Sequence, residues 1–261
     1  MYNIAVILAG GIGARVGGNT PKQLLPLQDG KSVLEHAVDA FEQSSHIDEI
    51  CIVMHPDYIV HAEQMLLANA WQKVRHIIPG GKERWESSVN AIRQFRGERL
   101  EVKGEGNNCQ LPIANCPNIT NLLLHDAARP FVSQDIIARV CEALEEHEAV
   151  TVAIPSTDTV YEMASNKVAR IPQRSTIMRA QTPQAFRLEL IAEAYAKAFP
   201  RLFTTQMGGK EGGASSPLLG GVGGGLPTDD CGIVHEYMPN TPIHIVLGEE
   251  QNKKITFKED I

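Results

Sequence analysis

The stretch Ile4-Ala-Val-Ile-Leu-Ala-Gly-Gly-Ile-Gly-Ala-Arg15 decides how this chain is read. An apolar run of strand character flows straight into a glycine-rich turn that carries one cation. A second cation, Lys22, follows within Thr20-Pro-Lys-Gln23. Glycine lets backbone amides wrap phosphate oxygens, and two nearby cations can neutralise charge that builds up during a reaction. The loop therefore points to chemistry at phosphate, and specifically to nucleotidyl transfer. A bare strand-to-helix turn would need neither Arg15 nor Lys22.

Two better-known phosphate loops are excluded by spacing. A dinucleotide fingerprint G-x-G-x-x-G begun at Gly11 and Gly13 would place its third glycine where Val16 stands. The pattern G-x-x-x-x-G-K-[ST] is absent from the chain.

Outward from the loop, short apolar runs alternate with helix-length amphipathic segments. Residues 4–8, 48–54, 74–79, 121–125 and 150–154 read as strands, and 32–42, 58–68, 83–95 and 134–147 as helices. This alternation predicts an α/β fold: a Rossmann-like, mostly parallel twisted sheet with helices on both faces. Ligands of such sheets bind beyond the carboxyl ends of the strands. The residues around 8–15, 80–84 and 125–130 fall at such ends and so belong to one crevice.

The 261 residues read as one domain, 1–261, with two interruptions. Residues 96–119 are polar, with three glycines, four asparagines and two cysteines, and read as a surface insertion. Residues 204–226 hold nine glycines and almost no periodic apolar face, which predicts a mobile loop. The final residues, 254–261, read as a strand running into an unfinished helix, as in a chain truncated or cut from a longer polypeptide.

Net charge of −7 argues against nucleic acid as the partner. No apolar stretch approaches the roughly 20 residues needed to span a bilayer, and the N-terminus lacks a basic signal-peptide region. Five cysteines, an odd number without a C-x-x-C, argue against a disulfide framework or zinc site. A reducing cytoplasm is the compartment they imply.

Three further patches carry chemistry. Gly80-Gly81-Lys-Glu-Arg84-Trp-Glu-Ser87 is a glycine pair at a helix start with a hydroxyl one turn in, suited to reading a base edge. Leu124-His125-Asp126-Ala-Ala-Arg129-Pro130 places a carboxylate at a strand end, where Mg²⁺ takes oxygen ligands. Arg129 is positioned to orient the loop or pair with Asp126. The last patch is dispersed: Thr157-Asp-Thr159, Arg174, Thr182-Pro-Gln184, Thr228-Asp-Asp230 and 252–256 with Lys254.

Ala9-Gly-Gly-x-Gly-x-Arg15, Pro21-Lys-Gln23, His125-Asp-Ala-Ala-Arg-Pro130 and Gln181-Thr-Pro-Gln184 together resemble the polyol-phosphate cytidylyltransferases. These include the ribitol-5-phosphate and 2-C-methyl-D-erythritol 4-phosphate enzymes, and the likeness runs from residue 8 to residue 256. It implies a nucleotide-diphospho-sugar transferase type of fold with a protruding β-arm at about 157–182. By this likeness, Arg15 and Lys22 stabilise the pentacoordinate α-phosphate. Leu8, Ala9, Gly10, Gly11, Gly13, Gly81, Arg84, Ser87 and Asp126 hold CTP, with Asp126 beside the Mg²⁺. Thr159, Arg174, Thr228, Lys254 and Arg129 grip the phosphate of the acceptor. In relatives the arm crosses to a second subunit, which implies a homodimer, and some ribitol-type relatives carry a fused reductase.

The acceptor is read from departures. Methylerythritol-phosphate enzymes usually carry aspartate three residues before the final lysine, where this chain has Gln251. Together with Ile171-Pro-Gln-Arg174 and Leu8-Ala-Gly-Gly11, this favours D-ribitol 5-phosphate. Ala128 leans toward the methylerythritol reading, which stays as the alternative. A catalytically silent nucleotide-binding module is the remote one.

Overall fold

The computed structural model describes residues 1–11, 21–97, 120–203, 227–256 and 260. Glycine-loop residues Gly13 and Arg15, nearly all of the expected insertion at 96–119, and all of 204–226 lie outside them.

The strand β1 (Tyr2–Ala9) is buried from Ile4 to Ala9 without the alternation of a half-exposed strand. Such a strand must be covered on both faces, so it belongs at the centre of a sheet. It pairs in parallel with β2 (Glu49–Met54) on one side and β4 (Thr120–Asp126) on the other. β3 (Val74–Pro79) extends the sheet beyond β2, again in parallel.

The other half is built from β5 (Ala149–Pro155), β8 (Met178–Arg187) and β9 (His244–Leu247). The sheet order is β3-β2-β1-β4-β8-β5-β9, with β8 antiparallel to both neighbours and β9 parallel to β5. Two strands, β6 (Glu162–Ala164) and β7 (Lys167–Arg170), form a separate antiparallel hairpin.

Helices close both faces. Against one face lie α1 (Val33–Glu42), α2 (Ile59–Asn69) and α4 (Gln134–Glu146), supplying Phe41, Val38, Met65 and Ile137 to the core. Against the other lie α3 (Arg84–Arg96), α5 (Leu188–Ala198) and α7 (Asp230–Tyr237), with Phe95, Tyr195 and Val234. The short α6 (Pro200–Phe203) follows α5. The start of α1 is fixed by a reciprocal cap: Glu35 N donates to Ser32 Oγ, and Ser32 N to Glu35 Oε2. The mostly parallel sheet with two helical layers is the predicted fold class.

Three details differ from the sequence reading. The segment containing Gln181-Thr-Pro-Gln184, which the sequence reading places partly in the arm, is a buried strand of the main sheet, β8. Its register jumps from Thr151↔Gln184 to Val152↔Gln181, leaving Thr182 and Pro183 in a bulge. Residues 178–182 therefore belong to the sheet, and the hairpin segment ends at Ile177, whose carbonyl accepts from Ser156 N. Finally, residues 254–256 form no strand; the edge strand lies earlier, at β9.

Candidate active site

The carboxyl ends of β1, β3 and β4 converge, as the sheet rule requires. Ala127 N donates to Leu8 O, and Gly80 N to Met54 O, which ties the end of β4 to β1 and the end of β3 to β2. Beyond them opens a cleft of about 640 Å³.

Two glycine turns form its floor by direct backbone contact. A Cβ on Gly10 would lie 2.8 Å from Ser87 Oγ and 3.3 Å from Gly80 Cα. A Cβ on Gly80 would meet Gly10 Cα at 2.9 Å, and one on Gly81 would collide with Glu86. Ser87 Oγ accepts from Gly81 N at 3.1 Å, so the hydroxyl fastens the second turn. Around Gly11, by contrast, no atom of the described residues lies within 4 Å of the position a Cβ would take. Glycine at 10, 80 and 81 serves packing; at 11 no described neighbour calls for it.

The opening loop is tied from the side by Gln23. This residue is almost fully buried, and its amide nitrogen donates to Ala9 O at 2.6 Å and Gly11 O at 2.8 Å. Its neighbour Lys22 lines the cleft and donates to Ile255 O at 2.9 Å, fastening the C-terminal segment to the mouth.

At the centre stands Asp126. Its Oδ1 accepts from Arg84 Nε at 3.1 Å, and its Oδ2 from Lys254 Nζ at 2.6 Å. Burial pushes this carboxyl up, but the two cations outweigh burial and hold it well below the usual range. Asp126 is thus an ionised group fully engaged by positive charge. Arg84 continues the chain of charge inward, with Nη1 2.7 Å from Oδ2 of Asp230, which is completely buried.

The preceding residue, His125, is also completely buried. Its Nε2 lies 3.0 Å from Arg129 O, a carbonyl that can only accept, so Nε2 carries the hydrogen. Nδ1 then accepts from the Thr182 hydroxyl at 3.1 Å, and the same hydroxyl accepts from Asp126 N. Burial drives the imidazole down to about 4, so it stays neutral near pH 7. It is a strut that fixes the Asp126 backbone. The bulge in β8 is what aims Thr182 at this point.

The structure brings Leu8, Ala9, Gly10, Gly11, Lys22, Gly81, Arg84, Ser87, Asp126 and Lys254 around one cleft. Four other expected residues are not among those lining this cleft. Arg129 turns its guanidinium to the carbonyls of Asn252 (2.7 Å) and Ala180 (3.2 Å), bracing the segment that ends in Lys254. Neither an ion pair with Asp126 nor a place in the cleft lining is found for it. Thr159 and Arg174 lie in the exposed hairpin segment, where Arg174 donates to Thr157 O. Thr228 is exposed just before α7, which Asp229 caps through Gly232 N. Gly13 and Arg15 fall outside the described residues.

Among the described residues, no cluster of three or more His, Cys, Asp or Glu side chains could cage a metal. Magnesium is commonly held by one or two carboxylates plus substrate phosphates. Asp126 is the carboxylate at the cleft of the kind such a site uses, and both its oxygens already accept from Arg84 and Lys254. No helix among the described residues is long and apolar enough to cross a membrane.

Sequence reasoning quoted Gln23, Gln184 and Asp230 inside motifs but gave none of them a role of its own. Gln184 sits in β8, accepts from the N–H groups of Asp230 and Cys231, and donates to Asp229 Oδ2, so it joins the sheet to α7. Gln23 and Gln184 stood inside quoted motifs; their burial had no local signature.

Glycine turns, lysines and one clamped carboxylate at the ends of parallel strands define a nucleotidyltransferase. The family model described as 2-C-methyl-D-erythritol 4-phosphate cytidylyltransferase (IspD) matches residues 3–102 and 112–207, and the chain belongs to this family. It is a CTP-dependent cytidylyltransferase of the class that acts on polyol phosphates. A 2-C-methyl-D-erythritol 4-phosphate cytidylyltransferase of Thermobifida fusca is 38% identical over 98% of this chain and 89% of its own length. The bifunctional ribulose 5-phosphate reductase/CDP-ribitol pyrophosphorylase Bcs1 of Haemophilus influenzae is 34% identical over 99% of this chain, which spans 46% of that protein. The crystal structure of 4-diphosphocytidyl-2C-methyl-D-erythritol synthase from Anaerococcus prevotii superposes with a TM-score of 0.70. That match is 24% identical and covers 99% of this chain and 92% of the other, a likeness of fold.

Proposed function

We propose that this enzyme transfers CMP from CTP to 2-C-methyl-D-erythritol 4-phosphate and releases pyrophosphate. The observation that carries the transfer is the Asp126 carboxylate, ionised and clamped between Arg84 and Lys254 in a cleft floored by two glycine turns. For the acceptor, support comes from the family model and from the 38% identical relative of that name.

In the proposed reaction a phosphate oxygen of the acceptor attacks the α-phosphorus of CTP. The new O–P bond forms as the bond to the β-phosphate bridge breaks, and pyrophosphate carries the electrons away. A phosphomonoester is already largely dianionic near neutral pH, with a second pKa of about 6, so no general base is required. This suits a site whose histidine is buried and neutral. Catalysis then rests on positioning and on charge stabilisation. Lys22 and Arg15 take the charge that grows at the α-phosphorus, the turns at Gly10 and Gly81 receive the cytidine with Ser87, and Arg84 meets the phosphates. A Mg²⁺ carried by the triphosphate would neutralise its charge, with Asp126 as the protein contact.

Lys254 reaches the acceptor phosphate from the cleft side. Thr159 and Arg174 belong to a hairpin with Tyr161, Met163 and Val168 exposed. An isolated two-stranded hairpin is marginal in water. We infer that the hairpin packs on a second copy, where Thr159 and Arg174 complete that copy's acceptor site. Sedimentation of a dimer that falls to monomer when 160–171 are removed tests this.

A second reading, D-ribitol 5-phosphate as acceptor, is favoured by Gln251, which pairs with Glu249 rather than supplying the aspartate usual in the methylerythritol enzymes. It is favoured too by the 34% identical relative. Incubation with CTP, Mg²⁺ and each phosphate in turn, with pyrophosphate measured, separates the two. CTP binding without pyrophosphate release on either acceptor would instead support a silent nucleotide-binding module.

A further inference from the structure

Behind the cleft lies a buried polar cluster that the reaction as described leaves unused. Asp230, at the first turn of α7, is completely buried. Its Oδ1 accepts from Ser88 Oγ at 2.8 Å and from Tyr195 Oη at 2.7 Å. Its backbone N–H is held by Gln184 Oε1 at 3.1 Å. Its Oδ2 faces Arg84 Nη1 at 2.7 Å, a close ion pair rather than an aligned hydrogen bond. An ionised carboxylate at such depth is costly unless every contact is fixed, and here α3 contributes two, β8 one and α5 one.

Arg84 is the group this cluster acts upon. Its Nε is spent on Asp126 and its Nη1 on Asp230. Its Nη2 is buried and has no hydrogen-bond partner among the described residues, although Arg84 lines the cleft. A buried guanidinium donor without an acceptor is an unusual feature that an anionic ligand at the cleft resolves. Held at two of its nitrogens, the guanidinium plane has no rotational freedom left.

We propose that Asp230 is a positioning residue for the nucleotide: it fixes Arg84 so that the guanidinium meets the phosphates of CTP already oriented. The proposal rests on the reading of Arg84 as a CTP contact. Asp230 touches no substrate itself and acts through Arg84 alone.

The test compares Asp230→Asn, Arg84→Gln and the double variant, each checked for folding by near-UV circular dichroism. CTP affinity is measured by titration calorimetry and transfer by pyrophosphate release. Losing one charge-assisted contact predicts a rise of about tenfold in both Kd and KM for CTP in Asp230→Asn, with the acceptor KM changed less than about twofold. Arg84→Gln should show at least the same loss, and the double variant no more than Arg84→Gln alone. Additive losses, or equal shifts in both KM values, would overturn the proposal and leave Asp230 structural. Unchanged CTP affinity in Asp230→Asn with a loss in Arg84→Gln would overturn it while sparing the reading of Arg84. Unchanged affinity in Arg84→Gln would sink both. Should Asp230→Asn fail to fold, Tyr195→Phe removes one bond from Oδ1 and is expected to raise the CTP KM about threefold; no change would overturn the proposal.

Discussion

Because His125 is buried, neutral and wired between Thr182 and Arg129, it should make stability depend on pH in a defined window. Its pKa is about 4 in the folded protein against 6.5 as the ordinary value. A group that binds its proton less readily when folded favours the unfolded state as pH falls. Its contribution is therefore fully present above pH 6.5, declines toward pH 4, and is constant below. The difference of about 2.5 units, at 1.36 kcal/mol per unit, amounts to about 3 kcal/mol. Urea unfolding from pH 7.5 to 4 should show this loss in the wild type. In His125→Gln the stability is lower at pH 7, since two buried bonds are disturbed, but the slope across this window should be shallower. NMR should find one of the nine histidines that does not titrate above pH 5. Parallel stability curves for the two proteins, or nine histidines titrating near 6.5, would refute the reasoning.

Three other perturbations bear on the site. Lys22→Ala should lower kcat by about 10²–10³-fold with little change in melting temperature, as expected for a charge-stabilising group; wild-type turnover would remove Lys22 from the chemistry. Gln23→Ala strips the partner from two carbonyls of the opening loop and should cost about 2–4 kcal/mol in unfolding free energy, with a higher CTP KM. Gly10→Ala drives a methyl against Ser87 Oγ and the Gly80 backbone, so it should destabilise by about 1–3 kcal/mol and weaken CTP binding, whereas Gly11→Ala should leave unfolding unchanged and affect ligand binding alone.

Much of the scaffold was readable because its signals are local. The unbroken apolar run of β1, the Ser32 cap and the amphipathic faces of α1 and α4 each announce an element within a dozen residues. β8 was not readable, because a proline between polar residues argues against a central strand, and only the bulge at Thr182 and Pro183 reconciles the two. The glycine turns could be found as turns, but their mutual contact across 70 positions could not. The same holds for the polar cluster: Ser88 and Asp230 are 142 residues apart in sequence, and Asp126 and Lys254 are 128 apart. Arg129 is a different case. Its motif suggests a ligand contact, and its two hydrogen bonds to backbone carbonyls had no signature in the sequence.

The central claim, CMP transfer to a polyol phosphate in the Asp126 cleft, is tested most directly by following α-labelled CTP with Mg²⁺ and 2-C-methyl-D-erythritol 4-phosphate. The account expects label in a CDP-polyol product with one pyrophosphate released per transfer, and loss of both in Lys22→Ala. Label that stays in CTP with every polyol phosphate offered, ribitol 5-phosphate included, would contradict it.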